Sequence, residues 1–391
     1  MKNYLLIDFG ASLLHTHHSR VIRGFVELIE QAGNDLTVYL PMGSEIANVG
    51  NHSRHRRILI PSYHPVEFRF KQVSSWIPGL SRIFYSQTEN TKLHNIASRI
   101  LSHTIVMSTV FTITKELRDR SDSVLIFPTA CPISMRLGKR IKKKFPKVKL
   151  VYRVTNTAER RGYFTRYFDV TFEASQLIRL FSSDIRFGYE MEEYGSTLAI
   201  SKSNLYFSPT PPCLELREKS TDQTKKTFGF LGMAQRHKGI TWLVEIISKT
   251  LVNSKATTVS WIIQTDNPPP SELLEFSTNP LVKLLVGRQS EFEISKAFTQ
   301  INLICLPYNV ESYKLGASAL AYRAADNLTA VATFRGSAFA NEIERFGIGL
   351  VVDDLEGLIR GMSEFDTEKS KTKIIEYNRV RVQSNLNLIT W

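Results

Sequence analysis

Cysteine is scarce in this chain of 391 residues: Cys131, Cys213 and Cys305 are odd in number and far apart. That spacing builds neither a disulfide framework nor a cysteine metal site, and a reducing cytoplasm is the natural setting. Long apolar runs are missing too. The longest, residues 104–113 (TIVMSTVFTI), carries three threonines and a serine, whereas a membrane span needs about 20 apolar residues. Met1-Lys2-Asn3 leads into only four apolar residues before Asp8, too few for a secretory signal. Internal repeats and low-complexity tracts are lacking. With 42% hydrophobic residues the chain has material for packed cores, which excludes disordered, collagen-like and disulfide-scaffold classes. The expectation is two or three ordinary domains, in the cytoplasm or resting on the cytoplasmic face of a membrane.

Acidic residues are in short supply: 37 Asp and Glu stand against 50 Lys and Arg, a net charge of +13. The shortage is local. Residues 1–200 hold 28 basic and 17 acidic side chains, residues 201–391 hold 22 and 20. The N-terminal half is expected to meet something anionic: nucleic acid, an anionic bilayer or a diphosphate-bearing substrate. From Arg136 to Lys149 eight of fourteen residues are basic and none is acidic. Ile133, Leu137, Ile141 and Phe145 recur every fourth residue between Pro132 and Pro146, the pattern of an amphipathic helix. Its basic remainder, with Lys139, Arg140 and Lys143, is either a solvated face or a membrane or partner surface. Residues 68–87 mix Trp76 and other aromatics with Arg69, Lys71 and Arg82. That mixture suits a bilayer interface, a lipid-linked acceptor, single-stranded nucleic acid or a loop packed under the core. No helix-turn-helix, zinc-finger or RNA-binding aromatic motif accompanies it, which argues against nucleic acid.

Strand-like runs alternate with helical ones. In the second half they are FGFLG (228–232), VSWIIQT (259–265), LVKLLVG (281–287), INLICLPY (301–308), TAVAT (329–333) and GLVVDD (349–354). In the first half YLLIDF (4–9), LTVYLP (36–41), RILIP (57–61), SVLIFP (123–128), KLVYRV (149–154) and DVTFEAS (169–175) follow less regularly. Such alternation predicts parallel sheets covered on both faces. The stretch 201–226, rich in proline, serine, threonine and charge, reads as a linker. It divides an N-terminal domain (1–200) from a C-terminal one (227–366), with a final helix in 367–391. Ligands of such sheets bind beyond the carboxyl ends of the strands, at helix N-termini.

One stretch, FLGMAQRHKGITWLVEII (230–247), concentrates the right chemistry. A strand ends at Gly232, a short loop carries Arg236, His237 and Lys238, and Gly239 lets the backbone enter a helix closely. These parts make a cradle for phosphate oxygens, or simply a charged loop. The stretch resembles the loop of the GT-B nucleotide-sugar glycosyltransferases, F-x-G-R-x-x-x-x-K-G before an amphipathic helix. Gly232, Lys238 and Gly239 fall on that pattern, the arginine position is Met233, and Arg236 is the nearest substitute. Residues 303–352 resemble a second stretch of the family through Leu306-Pro307, Glu311, Ala330-Val331-Ala332, Gly347 and Gly349. The family's second glutamate is absent: counting forward from Glu311 reaches Ala319, and counting back from Thr329 reaches Tyr322. In the first half, KLVYRV and the Asp-Phe after the first strand are similar to the xanthan glucuronosyltransferase branch.

The resemblance implies an α/β protein of GT-B architecture, two Rossmann-like domains facing a central cleft, with the last helix crossing back to the first domain. It implies a hexosyltransferase of bacterial surface polysaccharide or glycan synthesis that takes a UDP- or GDP-linked sugar. The acceptor would be a saccharide, carried on a membrane lipid, and no bound metal is implied. Gly232, Arg236, Lys238, Gly239, Arg288, Glu311, Ser318 and Tyr322 would contact the donor. Asp8, at the carboxyl end of the first strand, is a candidate base for the acceptor hydroxyl, with His18 and Glu311 as further catalytic candidates. Ser318 is equally a helix cap and Asp8 equally a turn residue. His15, His17 and His18 have no carboxylate or thiol at a metal spacing. A sugar-nucleotide epimerase of the same fold and a catalytically inactive partner protein are the rival readings.

Overall fold

The computed structural model describes residues 2–8, 17–42, 54–61, 106–120, 122–130, 132–154, 170–191, 201–213, 226–232, 234–253, 259–314 and 316–391. The chain divides into two compact units. One comprises Met1–Glu190, Tyr194–Pro211 and Ser384–Trp391, the other Met191–Glu193 and Pro212–Gln383.

In the first unit β1 (Asn3–Ile7), β2 (Asp35–Met42), β3 (Arg54–Pro61), β4 (Val124–Phe127), β5 (Lys149–Val154), β6 (Ile185–Tyr189) and β7 (Leu205–Phe207) form one sheet. Its order is β3-β2-β1-β4-β5-β6-β7, and every pairing is parallel. Helices α1 (His17–Gln31), α2 (106–119), α3 (Pro132–Lys144) and α4 (Val170–Phe181) belong to the same unit. Alternate residues of a strand point to opposite faces. Tyr4 and Leu6 accordingly lie in one core with Val21, Phe25, Val38 and Ile126, and Leu5 and Ile7 in another with Ile113, Leu117, Phe127 and Tyr152. A strand apolar on both sides needs cover on both faces, which helices supply.

The second unit contains β8 (Lys226–Phe230), β9 (Val259–Thr265), β10 (Val282–Val286), β11 (Leu303–Leu306), β12 (Ala330–Phe334) and β13 (Gly349–Val352). They pair in parallel in the order β10-β9-β8-β11-β12-β13. Between and after them run α5 (Ile240–Asn253), α6 (Ser271–Leu274), α7 (Glu291–Gln300), α8 (Ala319–Asp326), α9 (Ala338–Phe346), α10 (Leu355–Glu364) and α11 (Thr367–Ile389). The last turns of α11 belong to the first unit, where Leu388 and Ile389 join the Tyr4 core. Both sheets reverse their strand order beside their first strand, the place where doubly wound sheets open a ligand crevice.

Two expectations are corrected. DVTFEAS is not a strand: from Val170 the chain is helical, because Ala174, Leu177, Ile178 and Phe181 recur at helical spacing against the core. The neighbouring strand is instead Ile185–Tyr189. The linker 201–226 also begins too early, since Leu205–Phe207 pairs with β6 as the seventh strand of the first sheet.

Candidate functional site

At the crevice of the second unit, beside β8 and β11, the chain after β8 turns at Gly232, where φ is 117°. The Gly232 N–H donates to Gln264 Oε1 at 2.9 Å, and Gln264 Nε2 donates to the Gly287 carbonyl at 3.2 Å. One buried amide near the end of β9 thereby ties the ends of β8 and β10 together. Arg236–Lys238 then form a single 3₁₀ turn, and Gly239, with φ 75° and ψ 36°, leads into α5. A β-carbon on Gly239 would stand 1.7 Å from the Pro307 carbonyl oxygen, so only glycine fits. The Asn309 N–H donates to the His237 carbonyl at 3.0 Å. The turns after β8 and β11 are thus joined backbone to backbone.

That junction positions Lys238. Its side chain is half-buried, and a β-carbon on Gly232 would lie 3.5 Å from Nζ. Burial pushes the Lys238 pKa below the ordinary lysine value, and the Asp266 charge opposes the shift. Among the described residues no salt bridge to Lys238 is present, and a partly desolvated ammonium of this kind is a receptor for an anion.

Beside it stands an aromatic wall. Tyr313 lies 6.1 Å from His237, 4.6 Å from Tyr308 and 5.9 Å from Phe339, ring centre to ring centre. Burial, with Tyr313 adding to it, pushes the Tyr308 hydroxyl far above the usual tyrosine range. Ser318 is buried, accepts from the Ala321 N–H at 3.3 Å as the cap of α8, and shares a hydrogen bond with the Tyr308 hydroxyl. Its hydroxyl is occupied within the fold.

The other expected donor residues are spread around this crevice. Arg236 is exposed, and its charge reaches Glu272, whose carboxyl is held low first by its own backbone N–H and by Ser271. Arg288 is exposed just beyond β10, and Glu311 is exposed in the turn Glu311–Tyr313. Tyr322 is placed otherwise than expected. It is buried, and its hydroxyl lies 3.2 Å from Glu342 Oε2 and 3.3 Å from Met191 Sδ. Tyr377 donates to the other oxygen of Glu342, and the buried Arg381 pairs with Asp326 at 2.7 Å beside both rings. A count from the family motif could not show this, because the hydroxyl is drawn to the buried carboxylate that needs a donor.

In the first unit Asp8 follows β1 and is buried. It accepts from the Thr129 hydroxyl at 3.3 Å, and its N–H donates to the Tyr39 carbonyl. The His18 side chain and Trp76 lie outside the described residues. On α3, Lys139 donates to Gln176 at 3.1 Å, Arg140 meets Met107 of α2, and Lys143 is exposed. Lys142 turns inward instead, donating to the Val148 carbonyl and pairing with Asp184. Among the described residues no group of three His, Cys, Asp or Glu is placed to hold a metal, and no helix is long and apolar enough to cross a membrane. Gln264 and Asp266 were missed in the sequence. Their signal was a polar pair closing the apolar strand VSWIIQT.

The geometry has counterparts among solved structures. The chain is similar to sucrose-phosphate synthase from Thermosynechococcus elongatus, with a TM-score of 0.62 and 13% identity over 100% of this chain and 96% of that one. TarM gives a TM-score of 0.62 at 11% identity over 100% and 99% of the two chains. The lipopolysaccharide outer core galactosyltransferase WaaB gives 0.60 at 10% identity over 98% of each. No protein-family model and no curated protein sequence matches. The class that the two sheets and these likenesses define is the α/β GT-B fold.

Proposed function

We propose that the chain is a glycosyltransferase that moves a sugar from a nucleotide-sugar, UDP- or GDP-linked, to a saccharide acceptor in bacterial surface glycan synthesis. The observation that carries this reading is the seating of Gly239 against Pro307, with the desolvated cation of Lys238 in the turn just before it, at the strand-order reversal. Breaking a glycosidic bond to a nucleoside diphosphate releases negative charge at the leaving oxygens. Lys238, with Arg236 at the rim, supplies the opposing charge, and no bound metal enters the scheme. Solved structures of the same fold include a complex of S. aureus TarM with UDP. Asp8 is the proposed acceptor base, reached from the end of β1.

A lipid-linked acceptor fits the surface of the first unit. Phe111 is 84% exposed and Met107 45% exposed on α2, Arg140 of α3 meets Met107, and the exposed Lys143, Lys144 and Lys147 lie along α3 and its exit. Exposed apolar side chains beside cations are what an anionic bilayer interface receives. Thermal-shift measurements with UDP, GDP, ADP and CMP test the donor reading. A bound nucleotide at 100 times its dissociation constant adds about 2.7 kcal/mol to stability. A flat response to all of them removes it.

A further inference from the structure

Asp266 opens the turn that follows β9, and its Oδ1 is buried with no hydrogen-bond partner among the described residues. Gln264, two residues earlier, already joins the ends of β8 and β10 through Gly232 and Gly287, so the strand ends do not need this carboxylate. Lys238 is close enough for the Asp266 charge to act on it, yet the two make no hydrogen bond. A buried carboxylate oxygen that no described group of the chain satisfies is left for a donor from outside it.

Strand order says which part of a ligand comes to this place. The cradle for phosphate lies at β8 and β11, and the sheet continues outward as β9 and then β10. On the β11 side the space is filled by Tyr308, Phe339 and the capping Ser318, all buried. A nucleotide whose diphosphate rests at Lys238 therefore extends its nucleoside over the ends of β9 and β10, where Gly287 leaves its nearest neighbour, Asn267 Cβ, 3.5 Å from a β-carbon position. An ionised carboxylate accepts hydrogen bonds only and repels phosphate, so its partner is an N–H or O–H. We infer that Asp266 reads the nucleoside of the donor, accepting a hydrogen bond from a ribose hydroxyl or a base N–H while Lys238 holds the diphosphate. This rests on the donor-site reading above and extends it to the nucleoside half.

Calorimetric titration of the full-length protein and its Asp266→Ala variant with pyrophosphate, UDP, GDP and the 2′-deoxy and 3′-deoxy forms of UDP separates the outcomes. The variant is expected to bind UDP or GDP about 10- to 100-fold more weakly and pyrophosphate within about twofold of the parent. A deoxy nucleotide that is already weak on the parent and loses nothing further on the variant identifies the ribose. Deoxy nucleotides that still lose the full factor identify the base. Asp266→Asn, which keeps a carbonyl acceptor and the shape, is expected to lose less and replaces the alanine variant where that one melts early. Equal losses for pyrophosphate and nucleotide would overturn the inference in favour of an action through Lys238 alone. Unchanged nucleotide binding would overturn it in favour of solvent at Oδ1. A parent that binds pyrophosphate without preferring nucleotides also overturns it while leaving the cradle standing, and a parent that binds neither removes both.

Discussion

Gly239 and Pro307 meet backbone to backbone: the position of a β-carbon on the glycine lies 1.7 Å from the proline carbonyl oxygen. Gly239→Ala must therefore push the turn after β8 away from the turn after β11, besides straining a residue at φ 75°. The expected cost is about 1–3 kcal/mol of stability, with a larger proportional loss of nucleoside-diphosphate affinity. Denaturant unfolding and calorimetry on the same variant check both. Unaltered affinity would detach this junction from the site.

Lys238 makes diphosphate binding sensitive to alkali. Its folded pKa lies below the ordinary 10.5, chiefly through burial, so the ammonium loses its proton at lower pH than a free lysine. The charged form is the one that binds. Affinity should stay level near neutral pH and fall as pH rises through the lowered value. Lys238→Arg, whose guanidinium stays charged, should remove that fall. Lys238→Ala should weaken binding about 10- to 150-fold at neutral pH. Calorimetry between neutral and strongly alkaline pH reads all of these.

Tyr322→Phe separates a structural hydroxyl from a ligand contact. The change removes one donor from Glu342 and keeps the bond from the Tyr377 hydroxyl, a phenol that burial holds neutral and able to donate. Stability should drop by about 1–3 kcal/mol while donor affinity stays within twofold or so. A selective loss of affinity without a lower melting temperature would return Tyr322 to the donor site.

Asp8→Asn distinguishes a base from a turn residue. A base role predicts unchanged donor affinity and turnover lower by about 100-fold or more. A purely structural role predicts lower stability and near-normal turnover per folded molecule. Paired calorimetry and turnover at saturating substrates decide between them.

Phe111→Ser should leave stability within about 0.5 kcal/mol, since the ring is 84% exposed. Flotation with vesicles containing anionic lipid should fall in this variant and fall with added salt. Equal flotation on neutral and anionic vesicles, or none on either, would exclude the anionic-bilayer reading of α2 and α3.

Much of the fold is legible in the residues because burial repeats with the period of the backbone. Strands apolar on both sides, such as YLLI and LVYRV, require helices on both faces, and all six strand runs of the second half lie in its sheet. Where the pattern was ambiguous it misled. Val170-Thr171-Phe172 has the β-branched and aromatic character of a strand, yet the apolar spacing that follows decides for a helix. Of the candidate site, Gly232, Lys238 and Gly239 could be named in advance because a glycine with positive φ and a cation at a strand end are local requirements.

The amino-acid sequence by itself determined two α/β units, a basic first half and a glycine-framed cationic loop, since each depends on composition or on residues a few positions apart. Only the tertiary structure decided what those residues touch. Pro307 comes to Gly239 because β8 and β11, far apart in the chain, are neighbours in the sheet. Tyr322 turns to Glu342 because helices α8 and α9 pack their polar groups into one buried cluster, where an unpaired carboxylate would be costly. Asp266, whose Oδ1 has no hydrogen-bond partner among the described residues, comes within charge reach of Lys238 because parallel pairing aligns the ends of β8 and β9. Such contacts join residues across long stretches of chain, and no local periodicity encodes them.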